Sequence, residues 1–177
     1  GDSYALIAEE LKVTPQAVSV AELPVDIHSK VRALGDRRWL LDSVGEGTAR
    51  VDPQRVTQAM IALAHNAVGH TADDDEIRLG SSLYAGVDGT PTVSFWVTDA
   101  GPGISPEDRD RIFDRFQRGP RRHGSPGSRA GAGLGLAIVR AIAEAHHGEV
   151  KVQSTPGQGA TFGIEMPASI PLERPEP

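Results

Sequence analysis

Asn66 is the only asparagine in this chain of 177 residues, and it lies inside a segment that otherwise reads as helix. Asparagine is a poor helix former because its carboxamide competes for backbone hydrogen bonds, so its presence there needs a reason. Ala59, Ala62, Asn66 and His70 recur at spacings of three and four, which places them on one helical stripe. The two small residues leave room beside the two polar ones. A carboxamide oxygen is a hard ligand suited to Mg2+. The same placement also fits an asparagine that only bridges backbone.

Asp99 ends a run of alternating residues, Thr92 to Thr98, and is followed by Ala100-Gly101-Pro102-Gly103-Ile104. A carboxylate at a strand end, beside permissive backbone, can accept a hydrogen bond from an amine such as the exocyclic amine of adenine. An ordinary Asp-Gly turn has the same residues. A second glycine turn, Gly131-Ala132-Gly133-Leu134-Gly135-Leu136, opens a helical stretch predicted over 134–147. Helix N-termini carry free N–H groups that favour phosphate. The spacing departs from the dinucleotide G-x-G-x-x-G, and no Gly-Lys-Ser/Thr of a P-loop occurs. Between the two turns, residues 117–130 hold Arg118, Arg121, Arg122, Arg129 and His123 with no acid, in a chain of net charge −6. That local reversal of charge fits a lid of about 117–130 facing phosphates, or else a basic surface loop.

The elements that must position these residues follow from pattern. Residues 25–35 and 106–116 read as helices, the latter opened by Ser105. Asp52-Pro53 starts a helix running to about His70, with an acid at the N-cap and proline at the first position. Val56, Met60, Leu63 and Ala67 form its apolar stripe. Residues 39–44, 76–83, 92–98, 149–154 and 160–166 read as strands. Short turn-rich links predict that 76–83 pairs antiparallel with 92–98, and 149–154 with 160–166. The sum is an α/β fold: a two-layer sandwich with a mixed, mostly antiparallel sheet packed on three main helices. Residues 1–22 are expected to be a lead-in, with a short helix near Ala5–Leu11; 168–177 are expected to be a disordered, proline-rich tail. Asp73-Asp74-Asp75-Glu76 reads as a solvated loop.

The chain has length for one domain with a real core. The absence of cysteine excludes disulfides and thiolate metal sites. The acidic balance argues against nucleic-acid partners, and no apolar run approaches the ~20 residues of a membrane helix. Gly1 in place of Met suggests a fragment.

In this order the motifs resemble those of the catalytic, ATP-binding domain of bacterial two-component sensor histidine kinases. That domain shares the Bergerat fold with type II topoisomerase subunits, the ninety-kilodalton heat-shock chaperone and mismatch-repair ATPases. The resemblance covers about 23–167. It rests on an N box at Ala64-His65-Asn66-Ala67-Val68-Gly69-His70-Thr71, a first glycine box at Asp99 to Ile104, and an F box at Arg111-Ile112-Phe113-Asp114-Arg115-Phe116. The second glycine box is Gly131 to Leu136, and a final box is Thr155-Pro156-Gly157-Gln158-Gly159-Ala160-Thr161-Phe162.

The resemblance implies ATP and Mg2+ as cofactors. By it, Asn66 is the metal ligand and, with Arg118, the catalytic pair. Asp99 reads the adenine amine, with Thr161 helping through water. Gly101, Gly103 and Ile104 pass under the base, and His70 lies near the phosphates. Phe113 and Phe116 anchor the lid, and Arg118 reaches the terminal phosphates. Gly131, Gly133, Leu134, Gly135 and Leu136 supply hinge and helix amides. The implied activity is transfer of the γ-phosphate to a histidine of a dimerisation and phosphoacceptor domain, in cis or in trans. A response regulator follows indirectly. The isolated domain is expected to be monomeric and cytoplasmic, including as the cytoplasmic part of a membrane-bound sensor.

The departures qualify this. Ala62 stands where hydrolysing relatives carry a glutamate base, which argues for transfer over hydrolysis. His65 and Gly69 replace an acid and a base of the usual box. None of His28, His65, His70, His123, His146 and His147 has a phosphoacceptor context, and His146-His147 reads as a helix terminus. Two alternatives share the fold: a degenerate nucleotide-binding regulatory module without transfer, and a serine kinase of the anti-sigma-factor type, against which Ala62 speaks.

Overall fold

The computed structural model describes residues 11–42, 44–103 and 126–169, with side chains from Gly135 onward in the last helix. Strand β1 (Gln16–Ser19) leads into helix α1 (Glu22–Val31) and a 3-10 turn (Arg32–Leu34). Strands β2 (Arg38–Leu41) and β3 (Thr48–Val51) precede helix α2 (Pro53–Gly69). Then come β4 (Glu76–Ala85), β5 (Pro91–Asp99), helix α3 (Pro126–Ala145), β6 (Glu149–Ser154) and β7 (Ala160–Pro167).

Five strands form one sheet in the order β2-β4-β5-β7-β6; β1 and β3 form a separate antiparallel pair. β2 runs parallel to β4, and the other three pairings are antiparallel, as the short links predict. The central strand β5 alternates strictly between buried and less buried residues. Val93, Phe95 and Val97 of β5 face inward with Ile77, Leu79, Phe162, Ile164 and Met166. They meet Val56, Met60, Leu63 and Ala67, the predicted stripe of α2, together with Val139 and Ile142 of α3. Each such side chain stabilises the fold by about 1.5–3 kcal/mol, so this layer fixes where both ends of α2 lie.

Three sequence expectations change. The lead-in contributes a strand: β1 pairs with β3, and Val20 is fully buried. Helix α1 begins at Glu22, three residues before the predicted start, because Pro24 is tolerated in a first helical turn. Helix α3 begins at Pro126, so the second glycine segment lies within it and does not open it. Proline fits an initial helical position, and each added residue then gains a hydrogen bond. Residues 126–130, assigned from sequence to the lid, are accordingly helical. The expected helices at Ala5–Leu11 and 106–116 fall wholly or largely outside the described residues. Among the described residues, no helix is long and apolar enough to cross a membrane.

Candidate functional site

Asp52 begins α2 as the sequence predicts. Its carboxylate accepts the Gln54 and Arg55 amides at 3.0 and 3.1 Å. Four turns later the helix carries Asn66, 4% exposed. Its side-chain Nδ2 is buried with no hydrogen-bond partner among the described residues. Leaving such a group unpaired costs about 1–3 kcal/mol. Ala62, one turn back on the same stripe, faces α3: a methyl at Gly135 would lie 3.8 Å from its Cβ. The two small residues let the helices approach beside the asparagine.

The C-terminal end of α2 abuts the first glycine turn. A methyl at Gly101 would collide with the His70 carbonyl, so only glycine permits this approach. The Gly101 amide donates to Asp99 Oδ1 at 2.8 Å. Asp99 is 6% exposed at the end of the central strand. Burial pushes its carboxyl above the ordinary carboxylate value, while N–H groups of Gly101 and Ala160 pull the other way. Gly103 adopts φ +76°, and a methyl there would lie 2.6 Å from the Thr155 carbonyl. Gly157 N–H donates to the Pro102 carbonyl at 2.6 Å, joining this turn to the β6–β7 hairpin.

The structure therefore brings together the α2 end (Asn66, His70), the β5 end (Asp99, Gly101, Gly103) and the final box. It separates Thr161 from Asp99. In the β5–β7 register Asp99 opposes Ala160, while Thr161 opposes Thr98, and their hydroxyls lie 2.8 Å apart. Successive residues of a strand face opposite sides, so Thr161 lies on the other face of the sheet, and a water-linked role beside Asp99 does not fit this register. Leu136 is packed in the core and lies in the interior of α3, where each amide is committed to the carbonyl four residues back, so it does not supply the free helix amide expected from sequence. Gly131, Gly133 and Leu134 lie in α3. Ile104, Phe113, Phe116 and Arg118 lie outside the described residues.

Two polar features were missed from sequence. His146, read as a helix-terminal cation, is 1% exposed. Its Nε2 accepts the Asp52 amide at 3.0 Å, and its Nδ1 donates to the Ile142 carbonyl at 2.8 Å. Burial lowers its pKa below the ordinary imidazole value. Arg37, unremarked in the sequence, has a side chain only 7% exposed and binds the end of α2. Neither partner set has a short-range sequence signal, because Asp52 and His146 are 94 residues apart and Arg37 and Val68 are 31 apart.

The mixed sheet with helices packed on its buried face makes a two-layer α/β sandwich, with a buried asparagine on the long helix and a buried aspartate at the central strand end. Residues 51–170 match the family described as histidine kinase-, DNA gyrase B-, and HSP90-like ATPase, and the chain belongs to it. It is 33% identical over 183 residues to the sensor-like histidine kinase SenX3 of Mycobacterium tuberculosis, an alignment covering 99% of this chain and 38% of SenX3. Thus the chain spans well under half the length of that relative. Among solved structures it is similar to the mycobacterial sensor histidine kinase MprB, at 27% identity and TM-score 0.67, covering 86% of this chain and 97% of that one. The catalytic domain of histidine kinase ThkA has the same fold, at 24% identity and TM-score 0.68, covering 88% and 97%.

Proposed function

We propose that this chain binds ATP with Mg2+ and presents the γ-phosphate to a histidine on a separate phosphoacceptor domain. The observation that carries the reading is Asn66: a buried carboxamide with an unpaired donor, on the helix whose end touches the Asp99 turn. A group kept unsatisfied at such cost fits a site that a ligand completes. Asp99 accepts the adenine amine, and the Gly101–Gly103 backbone passes beneath the base. His70 and, from sequence alone, Arg118 face the phosphates. By the resemblance alone, Phe113 and Phe116 are assigned to anchoring the lid.

The residues fit Mg2+. A single carboxamide oxygen from Asn66, with phosphate oxygens and waters, is the ligand mix this ion favours over an all-protein cage. When bound, it would neutralise charge on the phosphates. The chain's own part is position. The acceptor imidazole lone pair forms the N–P bond as the bond from the γ-phosphorus to the bridging oxygen breaks, and ADP leaves with that electron pair. Ala62 stands where, by the resemblance, hydrolysing relatives carry a glutamate base, which favours transfer over hydrolysis.

The test is γ-labelled ATP mixed with this chain and a histidine-bearing acceptor domain. Label that is stable to base and lost in acid is expected on the acceptor. Tight Mg-ATP binding with no label on any acceptor would favour a regulatory nucleotide module instead. Gly69, whose surroundings leave room for the missing basic side chain, motivates that second reading.

A further inference from the structure

We propose that Arg37 is a positioning residue for the nucleotide site, acting through the end of α2. Its guanidinium is nearly buried, yet Asp73, its ion-pair partner among the described residues, is largely exposed. Most of its donors go to backbone and hydroxyl oxygens at the end of α2. Nη2 donates to the Val68 and Thr71 carbonyls, both at 3.1 Å, and Nε donates to Thr71 Oγ1 at 2.8 Å. Nη1 donates to the Asp36 carbonyl and to Asp73. Thr71 Oγ1 in turn donates to the Ala67 carbonyl at 2.7 Å.

The last carbonyls of a helix have no intrahelical partner. Here the Ala67 and Val68 carbonyls accept the His70 and Thr71 amides, and the planar Arg37 fork adds a charged donor at Val68 and clamps Thr71 just past the helix, fixing the terminus in direction as well as charge. Asn66 lies two residues before Val68, in the same last turn. The His70 carbonyl, between Val68 and Thr71, is the group pressed against Gly101. Arg37 thus holds, from outside the site, the helix terminus whose His70 carbonyl abuts the turn bearing Asp99. It touches neither side chain, so its effect is on alignment. Misplacing a binding group by even about 1 Å is costly.

This inference rests on the nucleotide reading above, so one of its readouts needs no nucleotide. Asn66 is the only asparagine, and labelling with 15N-asparagine gives a single side-chain amide pair. In Arg37→Met and Arg37→Lys the pair is expected to shift in the free protein, while far-UV circular dichroism stays that of the folded chain. Mg-ATP affinity, by calorimetric titration, is expected to fall at least tenfold in Arg37→Met and less in Arg37→Lys. Lysine keeps the charge but loses the fork, and it is the variant to read if methionine prevents folding. An unmoved Asn66 pair in a folded variant with a lowered Tm would overturn the proposal and leave Arg37 a purely stabilising residue. If wild-type protein binds no Mg-ATP, the nucleotide reading fails, while the amide shift still decides whether Arg37 positions Asn66.

Discussion

Helix α2 buries a polar side chain near each end, and the two are treated in opposite ways. At the start, Asp52 is fully engaged: its carboxylate takes the Gln54 and Arg55 amides and the Thr14 amide at 2.8 Å, and its own N–H finds His146. Near the other end, Asn66 has a buried donor with no partner among the described residues. Both groups are deeply buried, so burial alone does not separate them. Satisfaction does. A closed network holds the fold together, and an open valence held in place by packing is available to a ligand.

The contrast predicts that activity and stability come apart along one helix. Asn66→Ala should reduce phosphotransfer to an added acceptor domain by about 10²–10³-fold, the loss typical of removing one preorganised contact to developing charge. Its Tm should stay level or rise, because the orphaned donor is gone. A large fall in Tm with activity per folded molecule retained would place Asn66 in the same class as Asp52.

Asp99→Asn comes next. The carboxylate's hydrogen bond to an amine is charge-assisted, so Mg-ATP affinity should fall by about 10–100-fold, read by titration. The native carboxyl sits above the ordinary carboxylate value. The native state therefore binds this proton more tightly than the unfolded chain does. Its contribution to stability declines as pH rises from the unfolded value through the native one. Removing the charge should then leave Tm at neutral pH equal to or above wild type. A lowered Tm would show that Asp99 works mainly as a turn-former for Gly101.

Asp52→Ala should give the reverse pattern. Loss of an N-cap costs about 0.5–2 kcal/mol, and the Thr14 amide also loses its acceptor. Urea unfolding should show a loss near 2 kcal/mol, with Mg-ATP affinity within about threefold of wild type per folded molecule. A change in affinity of tenfold would mean that the two ends of α2 are mechanically coupled.

How much of this was legible in the chain differs between the same two ends. The apolar stripe of α2, its Asp52 cap, both hairpins and the two-layer architecture follow from period and turn chemistry, which are local. The Asn66 and Asp99 motifs are also short and local, and the helix and strand ends that carry them abut at His70 and Gly101. What failed was of three kinds. Thr161 was assigned by motif without its register, and strand alternation turns it from Asp99 by a single position. His146 and Arg37 were invisible because their meaning depends on partners that only the folded sheet and helices bring near. The start of α3 was misplaced because glycine was read as a break where helix propagation carries the chain through.

The smallest expected effect tests the closed end by pH. His146 accepts the Asp52 amide at Nε2 and donates through Nδ1, so the neutral ring is the one that fits. A proton on Nε2 would set two donors face to face. Burial is the main cause of its lowered pKa, with His147 acting in the same direction; the Ile142 carbonyl and the Asp52 charge oppose it. The unfolded chain thus takes the proton first. Stability from this group is complete above the unfolded value near 6.5 and is lost as pH falls through the native value. One proton limits the slope to about 1.4 kcal/mol per pH unit. Comparing wild type with His146→Gln by urea unfolding between pH 7.5 and 5.5 isolates it from the other histidines. The gap should be largest at pH 7.5 and narrow on acidification. A gap that widens on acidification would mean that the native protein holds the proton on His146, leaving the start of α2 with an unresolved donor of its own, as Asn66 does near the other end; a gap independent of pH would mean that folding leaves its proton affinity unchanged.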